Sequence, residues 1–336
     1  MKSINCDFPR PIKGDYLVYV RSITYNHRDY IVECMDGVAK QETNFPFVQM
    51  VIDDASPDGA QDVIKDYVNR EFDMQNACCY NNDVADIILA KHKKNDNFTI
   101  AAYLLKQNMY GDPKKVDLYK PWREACKYEA ICEGDDYWTN REKLQKQVEF
   151  LESNPSYPAS AHQSECIGAG KGLFMDGVPM EITMNDLTTH SRFFHTSSFI
   201  MKLDFFRDLP QMNLPYVSGD KLVYLQLSIS GPIYFFNDVW CVYRIHSSGM
   251  SRVVKLKDLK KDLNISTYMT SICPKFPRYR FLSFLYSTFA LYPSDVRAIQ
   301  RVYYLIVSFF LSFSYFPTNV RDHIVKIKRS YQLKYK

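Results

Sequence analysis

The chain has 336 residues, 46% apolar and 24% charged, an ordinary globular composition with enough length to bury a sizeable core, so disorder is excluded. Twelve glycines exclude collagen-like and glycine-rich architectures. The net charge of +4 hides a split: residues 252–336 carry 16 Lys/Arg against four Asp/Glu, a net of +12, which leaves −8 for residues 1–251. Nine cysteines, an odd number with no C-x-x-C pair, argue against a zinc ribbon or a disulfide framework and for buried free thiols in a reducing cytosol. Met1 to Arg10 is polar, without the apolar segment of a signal peptide, and the expected location is cytoplasmic.

The elements run in an alternating order. Tyr16 to Ile23 reads as a strand, and Ile31, Cys34, Met35 and Val38 recur at helical spacing. Phe47 to Ile52 is a second strand, ended by Asp53 and Asp54. Val63, Ile64, Tyr67 and Val68 mark a helix; Phe98 to Leu105 and Tyr128 to Cys132 are further strands. This alternation predicts an α/β fold with a Rossmann-like, mostly parallel central sheet and helices on both faces, in which ligands bind beyond the carboxyl ends of the strands. Glu129, inside the strand at Tyr128, is expected to face outward or to lie on an edge strand. After Leu151 glycines punctuate a loop-rich stretch. Structure resumes at Ser197 to Met201, in a helix from Lys221 to Ile229, and in strands Ile233 to Phe236 and Val239 to Arg244. From Lys255 onward the pattern is of basic helices broken by Pro274, Pro277, Pro293 and Pro317. The apolar run Val302 to Phe316 has 15 residues, short of the ~20 that span a bilayer, and predicts a buried or interfacial helix. Neither G-x-G-x-x-G nor G-x-x-x-x-G-K-[ST] is present in usable context.

The most specific segment is Cys132-Glu133-Gly134-Asp135-Asp136-Tyr137-Trp138. Three carboxylates within four positions repel one another unless a cation sits among them; hard oxygen ligands suit Mg²⁺ or Mn²⁺ on a diphosphate. Taken alone such a motif is more often a solvated acidic turn. Two further segments close strands: Thr24-Tyr25-Asn26-His27, and Asp53-Asp54-Ala55-Ser56-Pro57-Asp58-Gly59. In this order, and with Lys143-Leu144-Gln145-Lys146-Gln147-Val148, His195-Thr196-Ser197-Ser198, Ser218-Gly219-Asp220 and Tyr243-Arg244-Ile245-His246 behind them, the motifs resemble family-2 glycosyltransferases of the GT-A fold. The resemblance covers about Tyr16 to Ser251.

It implies a GT-A domain over residues 14–251, with a nucleotide-binding half at about 14–150 and an acceptor half at about 151–251, followed by a basic helical region at 252–336. It implies an inverting transferase that takes a nucleotide-diphosphate sugar, UDP-linked first, to a hydroxyl of a glycan or lipid-linked acceptor in cell-surface polysaccharide assembly. Thr24, Tyr25, Asn26, Asp53, Asp54, Glu133, Asp135 and Arg244 would contact the nucleotide sugar, Asp54 taking the uracil imide N–H. Asp135, Asp136 and His246 would hold Mn²⁺ or Mg²⁺. Asp220 would be the base that deprotonates the acceptor. The competing readings of these residues are helix capping for Asp53, Asp54, Asp58, Asn26 and Asp220. The competing functions are a non-catalytic glycan- or nucleotide-binding scaffold on the same fold and a sugar nucleotidyltransferase, although the phosphate loop of the latter is missing. Phe281, Leu282, Phe284, Leu285 and Phe289, with Val302–Phe316 and the flanking Arg/Lys residues, suit three roles: peripheral contact with the inner face of a membrane, packing on the core, or an oligomer interface. Nucleic acid is disfavoured, because the carboxylates of the core repel phosphate.

Overall fold

The computed structural model describes residues 11–246 apart from 113 and 207, then 254–292 and 296–313; Pro293 and Pro317 lie outside these. In chain order the elements are β1 (Val18–Thr24), α1 (Ile31–Ala39), β2 (Phe47–Asp53), α2 (Ala60–Glu71), β3 (Cys78–Asn81), β4 (Ala85–Lys91), β5 (Phe98–Leu105), α3 (Lys115–Ala125), β6 (Tyr128–Ile131), β7 (Tyr137–Trp138) and α4 (Lys143–Ser153). There follow β8 (Ala159–Gly168), β9 (Gly172–Leu173), β10 (Glu181–Ile182), α5 (Met184–Leu187), β11 (Ile200–Lys202), α6 (Gly219–Leu227), β12 (Ile233–Ile245), α7 (Leu256–Leu259), α8 (Leu263–Ile272), α9 (Arg278–Ala290) and α10 (Ala298–Ser312). Contacts group the chain into two compact units. The first lies within Met1–Met180, Phe194–Arg207 and Tyr234–His246; the second lies within Glu181–Phe193, Asp208–Ile233 and Ser247–Lys336.

The first unit is built on the run β12-β8-β11-β6-β1-β2-β5-β4-β3. Its centre, β6-β1-β2-β5, is parallel, as the strand–helix alternation requires. Antiparallel β11 flanks it on one side and the hairpin β3–β4 on the other. Every residue of β2 and β5 is buried, the pattern of strands covered on both faces. Side chains alternate accordingly. Val18 and Val20 pack with Ile31, Met35, Ile64, Val68 and Leu144 from α1, α2 and α4, whereas Tyr19 packs on the other face with Leu118 and Trp122 of α3. The Rossmann-like GT-A layout expected from the sequence is therefore observed, together with a helical C-terminal part.

Two expectations are corrected and a third, left open among packing, membrane contact and an oligomer interface, is narrowed. Glu129 neither faces outward nor lies on an edge: β6 sits between β1 and β11, and Glu129 is 1% exposed. Its carboxylate is tolerated because Arg21 Nε and Arg123 Nε each approach one of its oxygens at 2.7 Å. The two late strands are one, β12, which runs straight through the exposed pair Asn237 and Asp238. Finally, Phe281, Phe284, Leu285 and Phe289 are buried within the second unit and offer no outward apolar face.

In that second unit α6 begins at a loop clamped by Asp262. Its Oδ1 accepts the backbone N–H groups of Val217 and Ser218 at 2.8 and 3.1 Å, and its Oδ2 takes the Ser218 hydroxyl at 2.6 Å. Lys221 is buried and donates to the carbonyls of Leu187 and His190 at 2.8 and 2.5 Å.

Candidate active site

Register brings the motifs together. Thr24 pairs with Asp53 across β1 and β2, and Arg21 with Ile131 across β1 and β6, so three strand ends deliver their loops to one edge of the sheet. The loops after β1 and β2 turn sharply: Asn26 and Ala55 have φ of 60° and 57°, left-handed conformations that cost strain in a residue with a Cβ. Ser56 ties the first two loops, its Oγ accepting from Asn26 N at 3.0 Å and donating to Asp53 Oδ2 at 2.6 Å. Asp58 ties them again, accepting from Arg28 N at 2.9 Å and from Ala60 N, at the start of α2, at 3.0 Å. Gly134 admits no side chain, because a Cβ there would lie 2.6 Å from Thr24 Cβ.

The carboxylates divide by role. Asp53 is spent internally, accepting from Ser56 and from Gln61 Nε2 at 2.9 Å. Asp54 is buried, its Oδ1 taking Met109 N–H at 2.7 Å and its Oδ2 paired with Lys115 Nζ at 2.7 Å; it anchors the loop after β5. Thr24 Oγ1 is buried and has no hydrogen-bond partner among the described residues, while Tyr25 is exposed.

Asp135 faces two imidazoles. Its Oδ2 lies 2.9 Å from His246 Nε2 and 3.7 Å from His27 Nε2, and the ligand atoms of the three residues fall within 4.8 Å of one another. Burial holds the His27 imidazole below its ordinary pKa, against the opposing pull of Asp135, which favours the neutral form that binds metals. One carboxylate oxygen and two imidazole nitrogens would suit a first-row divalent ion such as Mn²⁺ better than Mg²⁺. His27, read from the sequence only as the end of a strand motif, is the member of this group that sequence reasoning missed; its place in T-Y-N-H was the available signal.

Asp136 stands apart from the group. It is 1% exposed, its Oδ2 accepting from Ser197 Oγ at 2.6 Å and its Oδ1 from Arg244 N at 3.0 Å. Burial, and then the neighbouring Asp135, push its pKa well up. Ser197 also receives Glu133 N–H at 3.1 Å and its carbonyl takes Trp138 Nε1–H at 2.7 Å, so one serine fixes the whole acidic turn. His195 Nδ1 lies 3.3 Å from Asp136 Oδ2 while its ring stacks on Tyr243. The guanidinium of Arg244 donates to Asp135 O at 2.9 Å, pairs with Glu33, and lies 4.4 Å above the Tyr30 ring. Glu33 and Tyr30, on and before α1, were not foreseen either. Lys143 is fully buried, its Nζ without a hydrogen-bond partner among the described residues and 3.9 Å from the Trp138 ring centroid.

Asp220 lies in the second unit, in the first turn of α6; Ser218 occupies the N-cap position. Asp220 Oδ1 accepts Lys221 N–H at 2.8 Å, and its Oδ2 is 3.2 Å from Arg192 Nη2.

A parallel sheet of this order, with acidic and imidazole groups at its carboxyl edge, is the GT-A arrangement. Residues 20–96, which include α1, β2, α2 and the β3–β4 hairpin, match the family model described as glycosyl transferase family 2. The resemblance read from the motifs is thus borne out over residues 20–96, where the chain is similar to family-2 glycosyltransferases. Uncharacterised proteins of Mycobacterium bovis and Mycobacterium tuberculosis are each 26% identical over 234 residues, 68% of this chain and 59% of theirs. The chain thus spans less than two thirds of the curated relatives it matches. Among solved structures, residues 1–349 of S. aureus TarS in complex with UDP-GlcNAc align over 90% of this chain and 74% of that one, at 17% identity and a TM-score of 0.52, a likeness of fold.

Proposed function

We propose that this chain is an inverting, divalent-metal-dependent transferase that moves a sugar from a nucleotide-diphosphate sugar, UDP-linked first, to a hydroxyl of a glycan or lipid-linked acceptor. The setting is cell-surface polysaccharide assembly on the cytoplasmic side. The observation that carries this reading is Asp135 between His27 and His246 at the edge where β1, β2 and β6 end. The UDP-GlcNAc bound by TarS, which shares the fold, supports UDP as the first donor nucleotide to test.

In this reading residues 14–251 do the chemistry and 252–336 do the placing. The nucleoside enters against the loops after β1 and β2, where Thr24 Oγ1 is a buried polar atom in want of a partner. Asp53 and Asp54 hold those loops, and Tyr25, Asn26 and Glu133 line the entrance. His27, Asp135 and His246 would hold the ion; when bound it supplies positive charge that stabilises the departing nucleoside diphosphate. Arg244, clamped by Glu33 and the Asp135 carbonyl, presents its charge beside the same group. Asp220 takes the proton of the acceptor hydroxyl, whose oxygen attacks the anomeric carbon from the face opposite the nucleotide, inverting the configuration.

The test is a thermal-shift panel of UDP, GDP and CDP with and without Mn²⁺ or Mg²⁺, followed by turnover with the matching sugar nucleotides. Stabilisation by UDP only in the presence of metal is expected. A panel that shows neither binding nor turnover overturns the proposal, and binding without turnover leaves a scaffold.

A further inference from the structure

Helix α10 is built inside out. Its inward residues are Tyr304, Ser308 and Ser312, all buried. Its outward residues include Ile299, Val302, Ile306, Phe309 and Phe310, and Phe313 follows at the C-cap, all exposed, with Phe310 at 69% and Phe313 at 73%. These outward positions recur at three- and four-residue steps, a continuous apolar stripe on one side of a helix. A helix that folds for water places its serines out and its phenylalanines in.

The inward side explains how the inversion is tolerated. α10 packs on α9 through small polar residues: Ser283 Oγ and Ser308 Oγ lie 3.0 Å apart, and each donates to the other's backbone carbonyl at 2.9 Å. Small residues let the two backbones approach, and the reciprocal bonds leave none of these hydroxyls needing solvent, which is how helices pair when water is scarce.

Charge says what covers the stripe. Neither α9 nor α10 contains an Asp or Glu, and Asp295 is the one acidic residue between them in sequence; Arg278, Arg280, Arg297 and Arg301 lie on or beside them, Arg301 Nη1 donating to Ala290 O at 2.7 Å. Lys260 Nζ lies 5.3 Å from the Tyr304 ring. Residues 252–336 together carry +12. A second copy of this chain would bring an equal positive charge against the first, whereas an anionic lipid surface neutralises it. Fifteen residues of helix span about 22 Å, less than the ~30 Å hydrocarbon core, and among the described residues no helix is long and apolar enough to cross a membrane.

We infer that the outward face of α10 lies in the plane of an anionic bilayer surface, its phenylalanines inserted among the acyl chains and the flanking arginines and lysines on the headgroups. This inference stands on the second unit alone and does not rest on the transferase reading.

The test is flotation of the full chain with vesicles of phosphatidylcholine alone and with added phosphatidylglycerol, at low and high salt. The chain is expected to float with the anionic vesicles at low salt and to stay behind with the neutral ones. Exposed Phe309→Asp with Phe310→Asp should cut partitioning by roughly a hundredfold. A wild-type chain that does not float, or a variant that floats equally well, overturns the inference. So does a wild-type dimer in sedimentation that the variant dissociates, which would make the stripe a self-association surface. Should the double variant misfold by circular dichroism, Phe310→Trp decides: its emission must shift to the blue on anionic vesicles, and an unshifted spectrum overturns the inference.

Discussion

His246 Nε2 lies 2.9 Å from Asp135 Oδ2 although 111 positions separate them in the chain, because β12 returns beside the acidic turn that follows β6. His27 arrives from the end of β1 to share the same oxygen. Three strand ends thus each bring one candidate donor atom to the same place.

Metal affinity follows that grouping. Asp135→Asn and His246→Gln are expected to weaken Mn²⁺ binding by at least tenfold to a hundredfold, and His27→Gln by a similar factor. Asp136→Asn should leave it within a few-fold, since Asp136 is engaged by Ser197 and Arg244. Titration of Mn²⁺ by electron paramagnetic resonance reads the free ion directly. Loss of binding in Asp136→Asn with retention in His27→Gln would reverse the assignment.

Asp220→Asn should lower transfer by roughly 10²–10⁴-fold while the thermal shift given by the donor nucleotide is kept. A rate within a few-fold of wild type would remove Asp220 as the base and leave it as a partner of Arg192.

Glu129→Gln removes the charge that Arg21 and Arg123 share. With both guanidiniums partly exposed, the expected loss is about 2–4 kcal/mol, read as a lower urea midpoint at unchanged slope. An unchanged midpoint would mean that water solvates the two arginines as well as the carboxylate does.

Lys143 carries a pH dependence. Burial lowers its pKa from 10.5 to about 7, and no hydrogen bond offsets this. Between those values the unfolded chain binds a proton that the folded chain does not, so stability rises with pH through the window and its deficit is complete below about pH 7. Lys143→Met should flatten the part of this slope that Lys143 supplies and stabilise the protein near neutrality by a few kcal/mol. Lys221, also lowered to about 7 by burial, keeps its own share of the slope. Denaturant unfolding from pH 7 to 10 measures both; parallel curves for variant and wild type would show that Lys143 is charged in the fold, held by the Trp138 ring.

The sequence was most legible where burial is apolar and symmetric. β2 and β5 read as strands because every position is buried, and α1 because Ile31, Cys34, Met35 and Val38 share a face. β8 was hidden because its buried residues are small or polar (Ala159, Ser160, Ala161, His162, Gln163, Ser164), which leaves no hydrophobic run to see. β3 was hidden for the opposite reason, being mostly exposed. Glu129 misled because a carboxylate in a strand normally marks a wet face; its two arginine partners come from β1 and α3, which only the fold brings together. The acidic turn was legible as a unit, but not the separation of Asp135 from Asp136, since the partners that sort them, His27 and His246 for Asp135 and Ser197 and the Arg244 N–H for Asp136, come from distant segments. The apolar C-terminal residues were visible as a set, yet which of them face outward depends on the serine pairing of α9 with α10.

The contact at Gly134 has one more consequence. With Thr24 Cβ only 2.6 Å from where a side chain would begin, and Gly134 N–H bonded to Ile23 O at 3.0 Å, the loops after β1 and β6 are keyed into each other like a mortise and tenon. The floor of the site therefore has no slack of its own. Any widening for a bulkier donor has to be found in the loops held by Asp54 and Arg244, and variation that changes specificity should accumulate there and leave residue 134 untouched.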